Sequence, residues 1–336
     1  MSGVLSPLVP LYAAASAAKN FAYHKRWIEP KRLRGPVVSI GNLSMGGSGK
    51  TPLTIRLAQL LRKSGVAVDV LSRGYGRHSR TVERVIPGGA AEEFGDEPLL
   101  IAQASGVPVF VGASRYRAGR LAESQENPAL HLLDDGFQHR QLARDVDIVA
   151  LHGDDFGEKL LPAGRLRESF SSLSRAQILA VRQEDRALEA KLRGRGFTQP
   201  VWWMERRLEV PEVRRVIAFC GIAREEEFFP ALRSRGVAVM AMRAWRDHHH
   251  YTQADIAELL ELRRQHEADA FLTTEKDLVR LQPEQRRMLE STAPLHAAKL
   301  LVKLADEAMA IQQLCGLLPM NWRDPDGRIA ADPMRK

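Results

Sequence analysis

The chain has 336 residues, room for about two domains. With 44% hydrophobic and 27% charged residues it has an ordinary globular composition, which excludes global disorder, a collagen-like repeat and a multi-span membrane protein. Its two cysteines, Cys220 and Cys315, form no CxxC, so a disulfide scaffold and a zinc ribbon are unsupported and a reducing compartment fits, while a net charge of +8 asks for an anionic partner.

Residues 1–34 carry six basic residues and one acidic residue, Glu29. Residues 3–18 carry no charge, but they fall short of the roughly 20 apolar residues a spanning helix needs, and Pro7 and Pro10 interrupt them. Positive charge follows the apolar run instead of preceding it, which argues against a cleaved signal peptide. The reading is an apolar stretch and then a mixed helix over 17–30. Phe21, Trp27 and Ile28 would face lipid, and Lys19, Lys25 and Arg26 would meet anionic headgroups. A helix packed on the protein's own core is the alternative.

Val37-Val38-Ser39-Ile40 reads as a short strand, and PLTIRLAQLLRKSG beyond it as a helix with Gly65 as its C-cap. Between them lies Ser44-Met45-Gly46-Gly47-Ser48-Gly49-Lys50-Thr51. This is a phosphate loop of the GxxxxGK[ST] type, with Ser44 where the first glycine is expected. Its glycines let backbone N–H groups turn toward phosphate oxygens, and the helix N-terminus adds partial positive charge. Lys50 would reach the β- and γ-phosphates and Thr51 would offer its hydroxyl to Mg²⁺. Pro52 is tolerated in the first helical turn.

Leu-His-Leu-Leu-Asp134-Asp135-Gly136 is an apolar strand ending in carboxylates, the Walker-B pattern. Such an end lies at the ligand crevice of an open α/β sheet. Asp134 is the expected Mg²⁺-side carboxylate, with Asp135 alongside. Further strands are expected at 66–71, 107–111, 147–151, 178–181, 216–219, 237–240 and 271–273, with a linker and a short strand near 200–214. The fold class is therefore α/β: a phosphate-loop, mostly parallel sheet flanked by helices over 36–205, a smaller α/β domain over 206–336, and the amphipathic N-terminal segment over 1–35. A site between two such units would allow hinge closure.

Seven segments occur in order: the loop through Pro52, Ser72-Arg73-Gly74-Tyr75-Gly76, Gly95-Asp96-Glu97-Pro98, Asp134-Asp135-Gly136-Phe137-Gln138-His139, Leu161–Glu168, Asp247-His248-His249 and Thr273-Thr274-Glu275-Lys276-Asp277. Together they resemble the tetraacyldisaccharide 4′-kinase family of lipid A biosynthesis, over roughly residues 5–320. Ser44 and Pro52 are then family features, while Ser169 departs from the family's usual proline. The resemblance implies transfer of the γ-phosphate of ATP, with Mg²⁺, to the 4′-hydroxyl of a tetraacylated glucosamine disaccharide 1-phosphate. It implies a peripheral enzyme at the cytoplasmic face of the inner membrane, held at an anionic membrane surface. It assigns Asp96 as proton acceptor in a dyad with His248.

The remaining roles follow from chemistry. Lys50, Asp135 and Arg167 are expected at the catalytic centre, and Thr51, Asp134 and Glu97 at the metal. Arg73, Arg115, Arg165 and Arg167 supply forks for phosphates, and Tyr75, Gln138 and His139 would meet the acceptor. Adjacent His248, His249 and His250 do not converge on one point, so one functional histidine is expected and no metal site. A monomer without a nucleic-acid partner is expected, since no zinc spacing, RRM aromatics or helix-turn-helix accompanies the basic charge. The competing reading is a phosphate-loop hydrolysing switch or assembly factor. Thr274–Asp277 echoes a base-reading motif only in part.

Overall fold

Strands with nearly every residue apolar alternate with amphipathic helices, which is how a parallel sheet covered on both faces reads. The computed structural model describes residues 6–319 and 322. In chain order the elements are α1 (Val9–His24), β1 (Val37–Asn42), α2 (Lys50–Lys63), β2 (Val68–Ser72), β3 (Glu83–Arg84), α3 (Ala91–Phe94), α4 (Asp96–Ser105), β4 (Val109–Val111) and α5 (Arg115–Gln125). They continue with β5 (Leu130–Asp134), β6 (Val146–Leu151), β7 (Ile178–Arg182), α6 (Ala187–Gly194) and β8 (Val201–Glu209). A smaller half follows, made of β9 (Arg215–Cys220), α7 (Glu225–Ser234), β10 (Ala238–Ala244), α8 (Gln253–His266), β11 (Ala270–Thr274), α9 (Glu275–Leu278), α10 (Pro283–Glu290), β12 (Leu295–Leu304) and α11 (Glu307–Leu317).

All strands join one 12-stranded sheet in the order β10-β9-β11-β12-β8-β7-β6-β1-β5-β2-β4-β3. Pairing is parallel except at β3–β4 and β8–β12. One strand joins the halves. Residues 295–298 of β12 pair parallel with β11, and residues 299–304 pair antiparallel with β8. The segment expected to be mostly linker is thus the nine-residue β8, with Trp202 and Met204 buried against the core and charged residues between later positions. Its bulky, charged composition hides the alternation from a reading by apolar runs.

Leu53, Leu57, Ala58 and Leu61 put one face of α2 onto β1, β5 and β2, all inside the largest core cluster. The same cluster takes in Ala310 and Leu314 of α11, so the chain returns to the larger half after β12. Gly65 follows the last turn of α2 with φ 81°, the left-handed position expected of a helix stop.

The N-terminal helix lies earlier than expected. It covers Val9–His24 with Pro10 in its first turn, and Arg26 at φ 57° ends it, so Trp27 and Ile28 follow the helix. Residues 1–5 of the apolar stretch lie outside the described residues, as do 323–336. One face of α1 is tied to the larger half: the Tyr12 hydroxyl donates to the Arg167 carbonyl at 2.9 Å, and the Asn20 amide donates to Glu168 at 2.9 Å. Leu8, Leu11 and Phe21 stay exposed, as do Trp27 and Ile28. None of the described helices is long and apolar enough to cross a membrane.

Candidate active site

The loop between β1 and α2 turns through positive φ at Gly46 (69°), Gly47 (69°) and Gly49 (85°), a conformation that side chains with a Cβ resist. Gly49 caps α2, so Lys50 and Thr51 stand at the helix N-terminus, both nearly buried. The loop is braced from outside. Met45 N–H donates to the Arg165 carbonyl at 2.8 Å, and Arg165 Nη2 donates back to the Met45 carbonyl at 3.0 Å. Asn42 Nδ2 donates to the Ser44 carbonyl at 2.6 Å. The Ser44 and Ser48 hydroxyls are buried without a partner among the described residues.

β5 delivers the two carboxylates, which differ sharply. Asp134 is buried and accepts from the Thr54 hydroxyl at 3.3 Å and the Ser72 hydroxyl at 3.2 Å, with no ion pair among the described residues. Burial first, and the neighbouring Glu97 charge second, push its pKa from 3.8 up to about 7. Asp135, at φ 50°, is paired with cations. Arg167 Nη1 lies 2.9 and 3.0 Å from its two oxygens, and Lys50 Nζ lies 3.9 Å away. Burial alone would raise the Asp135 pKa, but the charges of Lys50 and Arg167 outweigh it and hold the group below the ordinary carboxylate range.

Asp134 makes a testable contribution to stability. A carboxyl whose folded pKa lies above its unfolded value favours the fold while protonated, and loses that contribution as pH rises through the folded pKa. In chelator, the Tm advantage of Asp134→Asn over the parent protein is expected to widen from about pH 4 to about pH 8 and then level off. Thermal melts across that range check it, and a constant difference would contradict the assignment.

Asp96 and Glu97 open α4, and the smaller half reaches across to both. Asp96 Oδ1 accepts the Glu97 N–H at 2.8 Å. Oδ2 accepts from Arg280 Nε at 2.7 Å and faces His248 Nδ1 at 3.0 Å. Burial alone would raise the Asp96 pKa; the hydrogen bond to His248 and the charges of Lys276 and Arg280 overcome it and keep the carboxylate ionised. Lys276 Nζ lies 3.1 Å from Glu97 Oε1 and 3.4 Å from His248 Nε2. His248 sits at φ 59°, its ring 5.1 Å from that of the exposed Tyr75. His249 belongs elsewhere: it stacks on Trp245 and meets Asp255 at 2.9 Å, which fixes the turn presenting His248.

A cavity of about 360 Å³ beside Asp135 gathers Lys19, Arg73, Arg115, Gln138, His139 and Arg167. Gln138 Nε2 is committed to the Asn42 carbonyl at 2.9 Å. Burial first, then Arg115 and Arg144, push the His139 pKa down to about 3, so the ring is a neutral imidazole. The sequence-predicted residues therefore fall into three contiguous groups: the loop, the Asp96–His248 pair and this basic cavity. Met45 and Tyr75 are exposed at their edges. Arg280 escaped the sequence reading. Its only signal is its place three residues after Asp277, whose Oδ1 it meets at 3.0 Å while its Nη1 holds the Gly221 carbonyl at 2.5 Å.

Comparison with known proteins agrees with this geometry. The family described as tetraacyldisaccharide-1-P 4′-kinase matches residues 1–318. The tetraacyldisaccharide 4′-kinase of Koribacter versatilis is 43% identical over 326 residues, covering 94% of this chain and 98% of that protein. The one from Pelobacter propionicus is 36% identical, covering 94% and 93%. The crystal structure of "apo" form LpxK from Aquifex aeolicus in complex with ATP superposes with a TM-score of 0.75 at 32% identity, covering 95% of this chain and 99% of that one. The chain belongs to the tetraacyldisaccharide-1-P 4′-kinase family.

Proposed function

We propose that the chain transfers the γ-phosphate of ATP to the 4′-hydroxyl of a tetraacylated glucosamine disaccharide 1-phosphate. The observation that carries this reading is the meeting of three groups at one place: the Lys50 loop, the Asp96–His248 pair, whose neighbour Asp247 has its Oδ2 3.9 Å from where a Cβ at Gly46 would stand, and the cation-lined cavity joined to the loop through Asp135. A hydrolysing switch needs the loop alone; a second, basic cavity next to it suits an anionic acceptor.

In the reaction the bond from the γ-phosphorus to the β–γ bridging oxygen breaks, and a bond to the acceptor's 4′-oxygen forms. The hydroxyl proton passes to the Asp96–His248 pair, which Arg280 and Lys276 keep compact and charge-balanced. Lys50 neutralises developing phosphate charge, and Asp135, clamped by Arg167, fixes where its ammonium sits. The site also suits Mg²⁺. Asp134 is a buried carboxylate with no cation partner among the described residues, and the Thr51 hydroxyl stands at the loop's exit. Thr51, Asp134 and Glu97 would hold the ion, and when bound it offsets phosphate charge.

The exposed apolar face of α1 supports docking on an anionic membrane. A cleft of about 510 Å³ between α1 and residues 168–175 opens beside it, lined by Ala13, Ala17, Phe21 and Leu160 among others. It draws on Asn20 and Glu168, neighbours of the Lys19 and Arg167 that line the basic cavity, and so supports acyl chains and sugar binding side by side. Because α1 is also hydrogen-bonded to the larger half, point changes test docking better than truncation. Leu11→Glu with Phe21→Glu is expected to cut recovery on anionic vesicles at least about tenfold, since each buried apolar side chain contributes about 1.5–3 kcal/mol. Unchanged sedimentation would contradict it.

Transfer of labelled phosphate from ATP to the disaccharide in detergent micelles tests the whole reading. ATP hydrolysis indifferent to the acceptor would overturn it.

A further inference from the structure

A phosphate loop works only if its N–H groups face inward, and a peptide's N–H and C=O point in opposite directions. Holding a loop carbonyl from behind therefore aims the next residue's N–H forward. Two carbonyls are held this way. Arg165 takes that of Met45, and Arg182 Nη2, from the end of β7, takes that of Gly47 at 2.6 Å. The next N–H groups belong to Gly46 and Ser48.

Arg182 is itself fixed by the smaller half. Its Nη1 donates to Glu227 Oε1, in the first turn of α7, at 3.0 Å. Arg206 of β8 donates to Glu227 Oε2 at 2.9 Å. Arg224 Nη1 lies 3.4 Å from Glu227 Oε1 and 3.2 Å from Asp154 Oδ2. His152 Nδ1 accepts the Asp154 N–H at 3.0 Å, and its Nε2 lies 3.5 Å from Glu227 Oε1. One carboxylate thus gathers three guanidiniums and an imidazole. The Arg224 side chain also lies over the loop: a Cβ added at Gly47 would fall 2.5 Å from its Cδ.

We infer that Glu227 is a positioning residue that sets nucleotide affinity, by holding Arg182 against the Gly47 carbonyl and Arg224 against the same glycine. The inference rests on the reading of residues 44–51 as the nucleotide's cradle. Without the carboxylate, three crowded guanidiniums repel one another, Arg182 leaves the carbonyl and the Ser48 N–H loses its aim.

The test is steady-state kinetics on the full chain carrying Glu227→Gln or Arg182→Lys, with Tm as a folding control. Each is expected to raise the ATP KM at least about tenfold, with kcat and the acceptor KM within about threefold and Glu227→Asp restoring part of the loss. A structural role alone would move both KM values together. An unchanged ATP KM, or equal rises in both, overturns the inference. If Glu227→Gln fails to fold, Arg182→Lys decides by the same measure. Binding of a fluorescent ATP analogue to Lys50→Ala separates the two levels: retained binding sinks the cradle reading itself, while lost binding with an unaffected Glu227→Gln sinks only the role of Glu227.

Discussion

Lys50→Ala is expected to lower phosphate transfer at least about 10³-fold while leaving the fold intact, the scale seen when a preorganised cation is removed from a phosphoryl-transfer site. Lys50 opens α2 and is nearly buried, with its ammonium 3.9 Å from Asp135. The loss should fall on both kcat and the ATP KM, because the same charge meets the phosphates in the ground state and in the transition state. Folding should survive, because the substitution deletes a charge that no carboxylate strictly requires: Asp135 keeps Arg167 at 2.9 Å. Single-turnover transfer with a circular-dichroism melt checks both halves. Transfer near the parent rate would remove the loop from the mechanism.

Asp96→Asn is expected to lower kcat about 10²–10⁴-fold, the range for a lost acid–base group, with a much smaller change in the ATP KM. The carboxamide keeps the shape but no longer holds the imidazolium that forms when His248 takes the proton. His248 Nδ1 and Arg280 Nε both lose their anionic partner at Oδ2. Arg280 keeps Asp277 and the Gly221 carbonyl, and Lys276 still reaches Glu97 across the cleft, so the site should hold together and nucleotide should still bind. Because Asp96 is held ionised far below neutrality, its own protonation should leave no inflection in kcat above about pH 4. A fall in kcat matched by an equal rise in the ATP KM would mark Asp96 as a structural residue.

What the sequence made legible was local. The glycines before Lys50 and the apolar run ending in Asp134 each announce a turn or a strand end within about ten residues, and the backbone has both where their patterns put them. The parallel strands were legible because most of their residues are apolar, as befits strands buried along their whole length. The long-range partners were not. Arg280 lies 184 positions from Asp96, and Arg182 lies 135 from Gly47. A lone arginine in a chain with 49 basic residues carries no mark of the carbonyl or carboxylate it will find. The extent of β8 was hidden for a related reason: one of its two partners, β12, lies far along the chain, and Trp202 and Met204 are interior only once both β7 and β12 flank the strand.

The strand β12 carries a mechanical implication. The chain passes between the halves at residues 210–214 and again inside β12, where the ladder changes partner between Ala298 and Lys299. A strand hydrogen-bonded on both sides makes that junction a continuous ladder, so backbone pairing, and not the chain at 210–214 alone, holds the smaller half to the larger. The same ladder carries His248, Lys276 and Arg280 on one body, so all three meet Asp96 and Glu97 in a single fixed relation. The joining of two ladders by one strand is thus part of what keeps the catalytic pair together.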